Sequence, residues 1–312
     1  MKGLSMNKSN TINSYERKGV LSNDVIPTKT LQDLNMMDSF LFEATTEDME
    51  NAKKIAKIII KRTTGHAVEN LVIEPQKQLK GLSLDRHGIR MDLYMQENAA
   101  FQDGTSTLRL YDIEPNKYYE KDLPRRNRFY QSLIDSKLLP SNSRYQNLPD
   151  LITIWILPYD PFGDDRMIYT IKSMVVENQE LVYNDGITKI FLYTKGTKGG
   201  SKELKDFLAY MENTTVSNAV DKELLELQEI VNNVKSKEDV GERYMTLQEM
   251  IDYEKRDSYA DGLKDGLKDG HIRGIIEAYH HLSDNRNKTK EKIMEQFQLS
   301  SEQAEQYLDL YW

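Results

Sequence analysis

Residues 88–117 read GIRMDLYMQENAAFQDGTSTLRLYDIEPNK, and this stretch predicts two β-strands joined by a polar turn. Asp92 lies on the first predicted strand, whereas Asp112 and Glu114 lie two residues apart on the second, just before Pro115. Paired strands are about 4.8 Å apart, so one carboxylate from each strand can meet at a shared divalent cation. The stretch therefore predicts a metal site formed by Asp92 and Glu114.

The first of these strands has an apolar face and a polar face, because successive strand residues point to opposite sides. The residues that alternate on the predicted apolar face are Ile89, Met91, Leu93 and Met95. Those predicted on the polar face are Arg90, Asp92, Tyr94 and Gln96. Asp112 is open to two interpretations, a second metal ligand or an ordinary exposed strand residue.

The composition excludes several classes of site. The chain has 312 residues, of which 29% are charged and 38% apolar, as in soluble globular proteins. It contains no cysteine, which excludes disulfides, thiolate zinc sites and cysteine nucleophiles. The glycines form no GxSxG, GxGxxG or P-loop motif, and none of the five histidines has the spacing of a metal-binding pair on a helix.

No segment has the roughly 20 consecutive apolar residues that a membrane span needs. The strongest apolar run, residues 55–60, is interrupted by Lys57, and the N-terminal residues lack the apolar core of a signal peptide. We therefore expect no membrane association and a cytoplasmic location.

The net charge of −8 is unevenly distributed along the chain. From Thr215 onward there are 21 acidic and 13 basic residues, whereas residues 1–214 contain 29 of each sign. The acidic excess therefore belongs to the C-terminal third, and the rest of the chain can still present a basic surface to nucleic acid.

The spacing of apolar residues, together with capping and helix-ending residues, predicts helices and strands on both sides of residues 88–117. A helix is expected to be capped by Thr45 or Thr46 and to end at Gly65, with Ala52, Ile55, Ala56 and Ile59 on its buried stripe. Strands are predicted over 68–74, 151–158, 167–177 and 188–196, and residues 85–88 are predicted to form a turn. The continuous apolar run at 151–158 indicates a buried central strand. A further helix is expected to be capped by Ser201 and to extend to Asn213.

A basic segment follows the predicted acidic strands. Residues 117–139 read KYYEKDLPRRNRFYQSLIDSKLL and predict a helix that begins near Pro124, with Phe129, Leu133 and Ile134 buried. The basic residues Lys121, Arg125, Arg126 and Arg128 are candidates for binding DNA phosphates without reading sequence. The alternative is a solvated helix face that pairs with the acidic C-terminal third.

The C-terminal third is predicted to be helical. Glycines at 262, 266, 270 and 274 recur every four residues, which would place them on one helix face and allow close approach of a second helix, for example in a homodimer. The alternative is a flexible charged linker. Two short helices should follow, the second capped at Ser300 or Ser301. The expected organisation is a flexible N-terminal arm (1–35), an α/β domain (36–214), an acidic helical segment (215–258), the glycine repeat (259–275) and a small helical segment (276–312).

Several motifs together resemble one branch of the PD-(D/E)XK nucleases, the recombination-promoting nuclease and transposase-associated proteins. They are RMDLY, YDIEPNK, LPRRNRFYQSLIDSKLL, ITIWILPYDPFGDDRMIYT and DGITKIFLYTKG, and the resemblance extends from Asp38 to the C-terminus. It implies a restriction-endonuclease-like α/β core, with a mixed central sheet flanked by helices and a C-terminal α-helical extension. It also implies a Mg²⁺-dependent DNA endonuclease, with Mn²⁺ as an alternative ion, in which Asp92 and Glu114 hold the metal.

The third position of the resembled motif is Asn116, where this branch usually has Gln and the parent motif has Lys. Asn is shorter than Gln and carries no charge, so it cannot act as a base. Lys117 follows one residue later and should point to the opposite face of a regular strand. The alternative function is therefore a catalytically inactive nuclease fold that acts as a DNA-binding or protein-interaction module. A helix acid such as Glu47 or Glu50 is a candidate to complete the site.

Overall fold

A computed structural model describes residues 29–79, 89–100, 106–139, 141–282 and 285–312. Within these ranges the helices are α1 (Ser39–Thr46), α2 (Met49–Thr64), α3 (Leu123–Leu138), α4 (Lys202–Glu212), α5 (Lys222–Lys235), α6 (Glu238–His281), α7 (Arg286–Phe297) and α8 (Ser301–Tyr311). The strands are β1 (Leu71–Leu79), β2 (Ile89–Ala100), β3 (Ser106–Pro115), β4 (Asp150–Leu157), β5 (Ile168–Ile171) and β6 (Ile187–Tyr193). The predicted turn at 85–88 and most of the predicted N-terminal arm lie outside the described residues.

The strands form one mixed sheet in the order β1-β2-β3-β4-β6-β5. The pairs β3–β4 and β4–β6 are parallel, whereas the β1–β2, β2–β3 and β5–β6 pairs are antiparallel. The expected α/β class, with a mixed sheet flanked by helices and followed by a helical region, is therefore confirmed. Among the described residues, no helix combines the length and apolar character that crossing a bilayer would require.

The strand β4 lies inside the sheet, as its continuous apolar sequence predicts. Ile154, Trp155 and Ile156 are each 0% exposed, because consecutive side chains enter apolar layers on opposite faces. One layer contains α2, α4 and α5 and receives Ile154 and Ile156. The other contains α3 and receives Trp155. The sheet is thus covered on both faces at its centre.

The predicted apolar face of β2 is divided between these two layers. Leu93 and Met95 pack in the layer of α2, whereas Ile89 and Met91 pack in the layer of α3. The change of face falls opposite Gln76 of β1, whose φ of 53° is in the left-handed region that side chains rarely adopt. The prediction that all four side chains share one face is therefore wrong, because the ladder is distorted at this point.

The residues predicted to cap or end the helices are confirmed at some helix ends and wrong at others. Gly65 ends α2 with φ 74°, and Ser201 caps α4 by accepting a hydrogen bond from the Leu204 amide. Asp48 caps α2, whereas Thr45 and Thr46 lie in α1 and donate their hydroxyls to the Phe42 carbonyl. The predicted helix is therefore α2, whose cap lies two residues after Thr46, and a separate helix, α1, precedes it.

Two predicted segments differ in extent or orientation. The first of the late strands, β5, covers only Ile168–Ile171 of the predicted 167–177. On α3 the buried aromatic residue is Tyr130, whereas Phe129 is 42% exposed and its predicted burial is wrong. The helix begins at Leu123 with Pro124 in its first turn, as predicted, and the Tyr130 ring lies 5.7 Å from that of Trp155.

The glycine repeat lies within α6, a continuous helix of 44 residues. A Cβ atom at any of the four glycines would have no neighbour within 4 Å, so this face is open. The C-terminal end of α6 packs with α7 and α8 around Ile272, Ile276, Ile293 and Leu308. Ser300 caps α8 in a reciprocal capping box with Gln303, as the sequence predicts.

Arg62 connects three helices beneath the sheet. Its side chain, only 3% exposed, donates to Asp221 and Glu223 at the start of α5 and to the carbonyl of Glu203 in α4. The two carboxylates are about one-third exposed, at 35% and 33%, so solvent screens part of the attraction.

Arg62→Met is expected to lower the free energy of unfolding by about 2 kcal/mol. The substitution leaves Asp221 without its salt-bridge partner and Glu223 with Lys61 alone. Breaking a fully buried pair costs about 3–5 kcal/mol before screening is considered. Urea unfolding monitored by Trp155 fluorescence in a Trp312→Phe background would measure the effect. Arg243→Met is the control, because its pair with Glu47 is exposed and should contribute less than about 1 kcal/mol. Equal losses in the two variants would contradict the proposed role of Arg62.

Candidate acidic site between β2 and β3

Three carboxylates meet where β2 and β3 pair. The register aligns Leu93 with Ile113 and Tyr94 with Asp112, which places Asp92 across from Glu114. The backbone amide of Asp92 donates to Oε1 of Glu114 at 3.0 Å. Asp112 and Glu114 share one face of β3 because they are two residues apart. The structure thus brings together the two predicted metal ligands, and it adds Asp112 beside them.

The site is buried because α3 and its apolar partners cover this face of the sheet. Asp112 is 0% exposed and Glu114 is 4% exposed, while Asp92 is partly accessible. Neither carboxylate oxygen of Asp112 has a hydrogen-bond donor. The interpretation of Asp112 as an exposed strand residue is therefore wrong, since β3 is an inner strand rather than an edge.

Burial raises the pKa of all three carboxyl groups. The pKa of Asp92 rises to about 6, first because of burial and then because of the charge of Glu43. The pKa of Asp112 rises to about 7 through burial, which the neighbouring Glu114 carboxyl opposes and the charge of Asp92 reinforces. The pKa of Glu114 lies well above its ordinary value through burial and the charges of both aspartates. Three such shifts in one place identify a candidate functional site.

Arg126 is a cation whose charge reaches all three carboxylates, whereas Arg90 lowers the pKa of Asp92 alone. The charge of Arg126 lowers the pKa of Asp92, Asp112 and Glu114, although by less than burial raises them. The guanidinium is held by Glu120 at 2.6 Å and by the Tyr130 hydroxyl at 2.9 Å. These contacts orient Arg126, but they also engage part of its charge, so the three acids remain incompletely neutralised.

Asn116 continues β3 beyond Pro115. Its backbone amide donates to the Ile156 carbonyl at 2.9 Å, and its side-chain oxygen accepts from the Tyr118 amide at 3.1 Å. The side-chain nitrogen is buried and has no acceptor, so it is available as a donor. Lys117 pairs with Asp38 and leaves Asn116 as the polar group that follows Glu114 on the same face.

Two residues near Asp92 are absent from the predicted site. The amide nitrogen of Gln76 donates to the Asp92 carbonyl at 3.4 Å, and its side chain lowers the pKa of Asp92. Glu43 of α1 is the helix acid whose charge reaches Asp92. Of the predicted helix acids, Glu47 pairs with Arg243 and Glu50 pairs with Lys53.

The signals for these two residues in the sequence are weak. Glu43 lies one turn before Glu47, so a search of the whole helix could have found it. Gln76 follows Pro75 in an ordinary polar run, and only the strand register identifies it.

The donor set fits a Mg²⁺ ion held by two protein carboxylates, with its other ligands from water and substrate. Among the described residues, no group of three or more His, Cys, Asp or Glu side chains is arranged to hold a metal ion. Mg²⁺ usually needs only one or two protein carboxylates, with waters and substrate phosphates completing six oxygen ligands. The carboxylates of Asp92 and Glu114 can supply those two, and a bound cation would favour the ionised form of the buried Asp112 beside them.

The predicted DNA-binding residues divide into two groups. Arg126 is half-buried beside the acidic site, whereas Lys121, Arg125 and Arg128 are exposed around the first turns of α3. Within the described part of the chain these three form no ion pair, so the suggested pairing with the acidic C-terminal third is not observed. Tyr118 and Tyr119, 77% and 73% exposed, lie just before the same helix.

Comparison of the chain with protein-family models, with curated proteins and with solved structures found no match in any of the three searches. The functional assignment therefore rests on the side chains of this chain and on their chemistry.

Asp112→Asn is expected to reduce the fall in stability between pH 5 and pH 8. The unfolded carboxyl ionises near 3.8 and the folded one near 7, so the folded state keeps a proton that the unfolded state has lost. Its free energy of unfolding therefore decreases as pH rises through this window. One pKa unit corresponds to about 1.4 kcal/mol, so the change should be on the order of 1–3 kcal/mol.

Urea unfolding at pH 5 and pH 8 in EDTA would measure this difference within each protein, which cancels the cost of burying an amide. Asp261→Asn, an exposed carboxyl on α6, is the control and should keep the wild-type pH dependence. An unchanged pH dependence in Asp112→Asn would contradict the raised pKa.

Proposed function

We propose that this protein is a Mg²⁺-dependent DNA endonuclease of the recombination-promoting nuclease and transposase-associated type, with a restriction-endonuclease-like core. The observation that carries the proposal is the meeting of Asp92 and Glu114 at the distorted point of β2, in a buried and incompletely neutralised acidic site. A divalent metal beside the phosphate promotes phosphodiester hydrolysis, and carboxylates are groups that hold such a metal. Two of the motifs that resemble this nuclease branch, RMDLY and YDIEPNK, lie on these strands.

Each residue has a distinct role in the proposed reaction. A bound Mg²⁺ would supply Lewis-acid polarisation of the phosphate and a more acidic water. Asp92 and Glu114 would hold it, and its charge would favour the ionised form of Asp112 beside them. Asn116 donates its free amide N–H to a phosphate oxygen or water, which orients that group without removing a proton.

Basic side chains would place the DNA backbone against this site. Arg126 reaches both the acidic cluster and the open surface, so it can hold a phosphate next to Asp92. Lys121, Arg125 and Arg128 extend this positive surface along α3. Contacts of this kind fix the position of the backbone and carry little sequence information.

The second candidate function is an inactive nuclease fold that binds DNA or protein. Asn116 favours it, because an amide cannot replace the lysine of the parent motif as a charged group or a base. Retention of DNA without cleavage in Mg²⁺ or Mn²⁺ would support this function over the first.

A homodimer through α6 also remains a prediction. The four glycines of its repeat lie on an open face, where a second helix could approach closely.

Asp92→Asn and Glu114→Gln are each expected to lower the rate of plasmid nicking by at least about 100-fold, because each removes a charged metal ligand. Agarose-gel assays in Mg²⁺, with EDTA blanks, would measure the rate. Glu97→Gln is the matched control, since Glu97 is also a buried acid of β2 but bonds to His66 and the Tyr111 hydroxyl. Nicking that persists unchanged in Asp92→Asn would exclude the assigned site.

Asn116→Ala is expected to slow cleavage by about 10- to 100-fold while leaving the Kd for Mg²⁺ within about twofold. The substitution removes a hydrogen-bond donor but no carboxylate, and one well-placed donor contributes up to a few kcal/mol in a transition state. Isothermal titration with Mg²⁺ beside the nicking assay separates the two effects. A parallel loss of Mg²⁺ affinity would show that Asn116 acts through the metal site instead.

A further inference from the structure

A cleft of about 850 Å³ lies between the end of β3 and the helix α6. Asn116 and Arg126 are among its lining residues. Asn116 lies two residues after Glu114, and the charge of Arg126 acts on Glu114, so the cleft is next to the acidic site. Its outer wall is formed by α6, where Lys255 and Arg256 contribute exposed basic side chains.

The helix α6 is fixed to the α/β domain near the helix's N-terminal end. Tyr244 of α6 is 5% exposed, and its ring lies 5.0 Å from that of Phe40. Its hydroxyl donates to the carbonyl of Lys29 at 2.8 Å. Lys255 follows eleven residues later, about 17 Å along a helix, which is close enough for the same anchor to position it.

The cleft is positive although α6 belongs to the acidic part of the chain. Its lining includes the basic residues Lys29, Lys117, Arg126, Lys255 and Arg256 and the acidic residues Asp38 and Asp252. Lys117 pairs with Asp38 and Arg126 pairs with Glu120, so Lys29, Lys255 and Arg256 against Asp252 leave the lining with a net positive charge. A concave basic surface that ends at a carboxylate site fits a ligand that carries repeated phosphates.

We propose that this cleft binds a single-stranded nucleic-acid segment and leads its backbone to Asp92 and Glu114, with α6 as the outer phosphate-binding wall. The cleavage at its end rests on the proposed function, whereas the binding is independent of it. Tyr118, which is 77% exposed, lines the cleft and offers a face on which a base can stack. A basic groove with aromatic stacking positions is typical of single-strand binding.

The size of the cleft favours a single strand over a duplex. Pockets of about 300–1,000 Å³ enclose most of the surface of one small ligand, and a few nucleotides of one strand are of that order. A duplex would instead contact the exposed basic residues of α3, outside the cleft.

The test is the affinity of the full chain for a fluorescein-labelled DNA strand of about 16 nucleotides, with the matching duplex as the comparison. Fluorescence anisotropy in EDTA measures binding without cleavage. The variant Lys255→Ala/Arg256→Ala should weaken single-strand binding by about tenfold. The slope of log affinity against log salt should fall by about 1.4, the value for two lost phosphate contacts on a single strand.

The control Lys264→Ala/Lys268→Ala removes the same charge from the same helix outside the cleft, and should change affinity by less than about twofold.

Tyr118→Ala should weaken single-strand binding by about tenfold with little change in the salt slope. Equal losses in the cleft and control variants, no loss in the cleft variant, or a loss confined to the duplex would each overturn the proposal. Single-strand binding that depends on Lys255 and Arg256, without any cleavage in Mg²⁺, would contradict the proposed nuclease activity and support the proposed binding cleft.

Discussion

The burial of three carboxylates between β2 and β3 is the constraint on which the functional part of this structure depends. Asp112 is 0% exposed and has no hydrogen-bond donor at either oxygen, so it must keep a proton or face a nearby cation. Asp92 and Glu114 share this environment, and each charge makes the others harder to form. A core built only for stability would place apolar residues here, because a buried charge without a full partner is costly.

The rest of the fold keeps the three carboxylates buried despite the unfavourable free energy of burying them. Apolar layers on both faces of the sheet hold β3 and β4 in place, and Arg62 ties the helices of one layer together. The left-handed Gln76 marks the point where β1 and β2 leave regular geometry, and Asp92 lies opposite it. Strained backbone of this kind persists where the surrounding structure enforces it, and it is often found at functional sites. Arg126 supplies partial compensation and connects the acidic site to the basic cleft.

Local sequence signals predicted much of the fold, because the physics behind them is local. The apolar run of β4, the glycine that ends α2 and the serine that caps α8 each depend on a few neighbouring residues. The same holds for the two acidic residues of the predicted metal site, which alternate with apolar neighbours on paired strands. Asp112 could not be placed in this way, because its burial depends on the neighbours of β3 and on the position of α3. The contribution of Glu43, the change of face in β2 and the cleft beneath α6 are likewise set by tertiary packing.

The most direct test of this account is the position of a bound divalent ion. Crystals soaked in Mn²⁺, whose anomalous scattering distinguishes it from water, would locate it. We expect a peak bonded to carboxylate oxygens of both Asp92 and Glu114, at about 2.1 Å as for Mg²⁺. A peak bound elsewhere in the chain, or no peak between these two residues at saturating Mn²⁺, would contradict the assignment of a metal-dependent nuclease site.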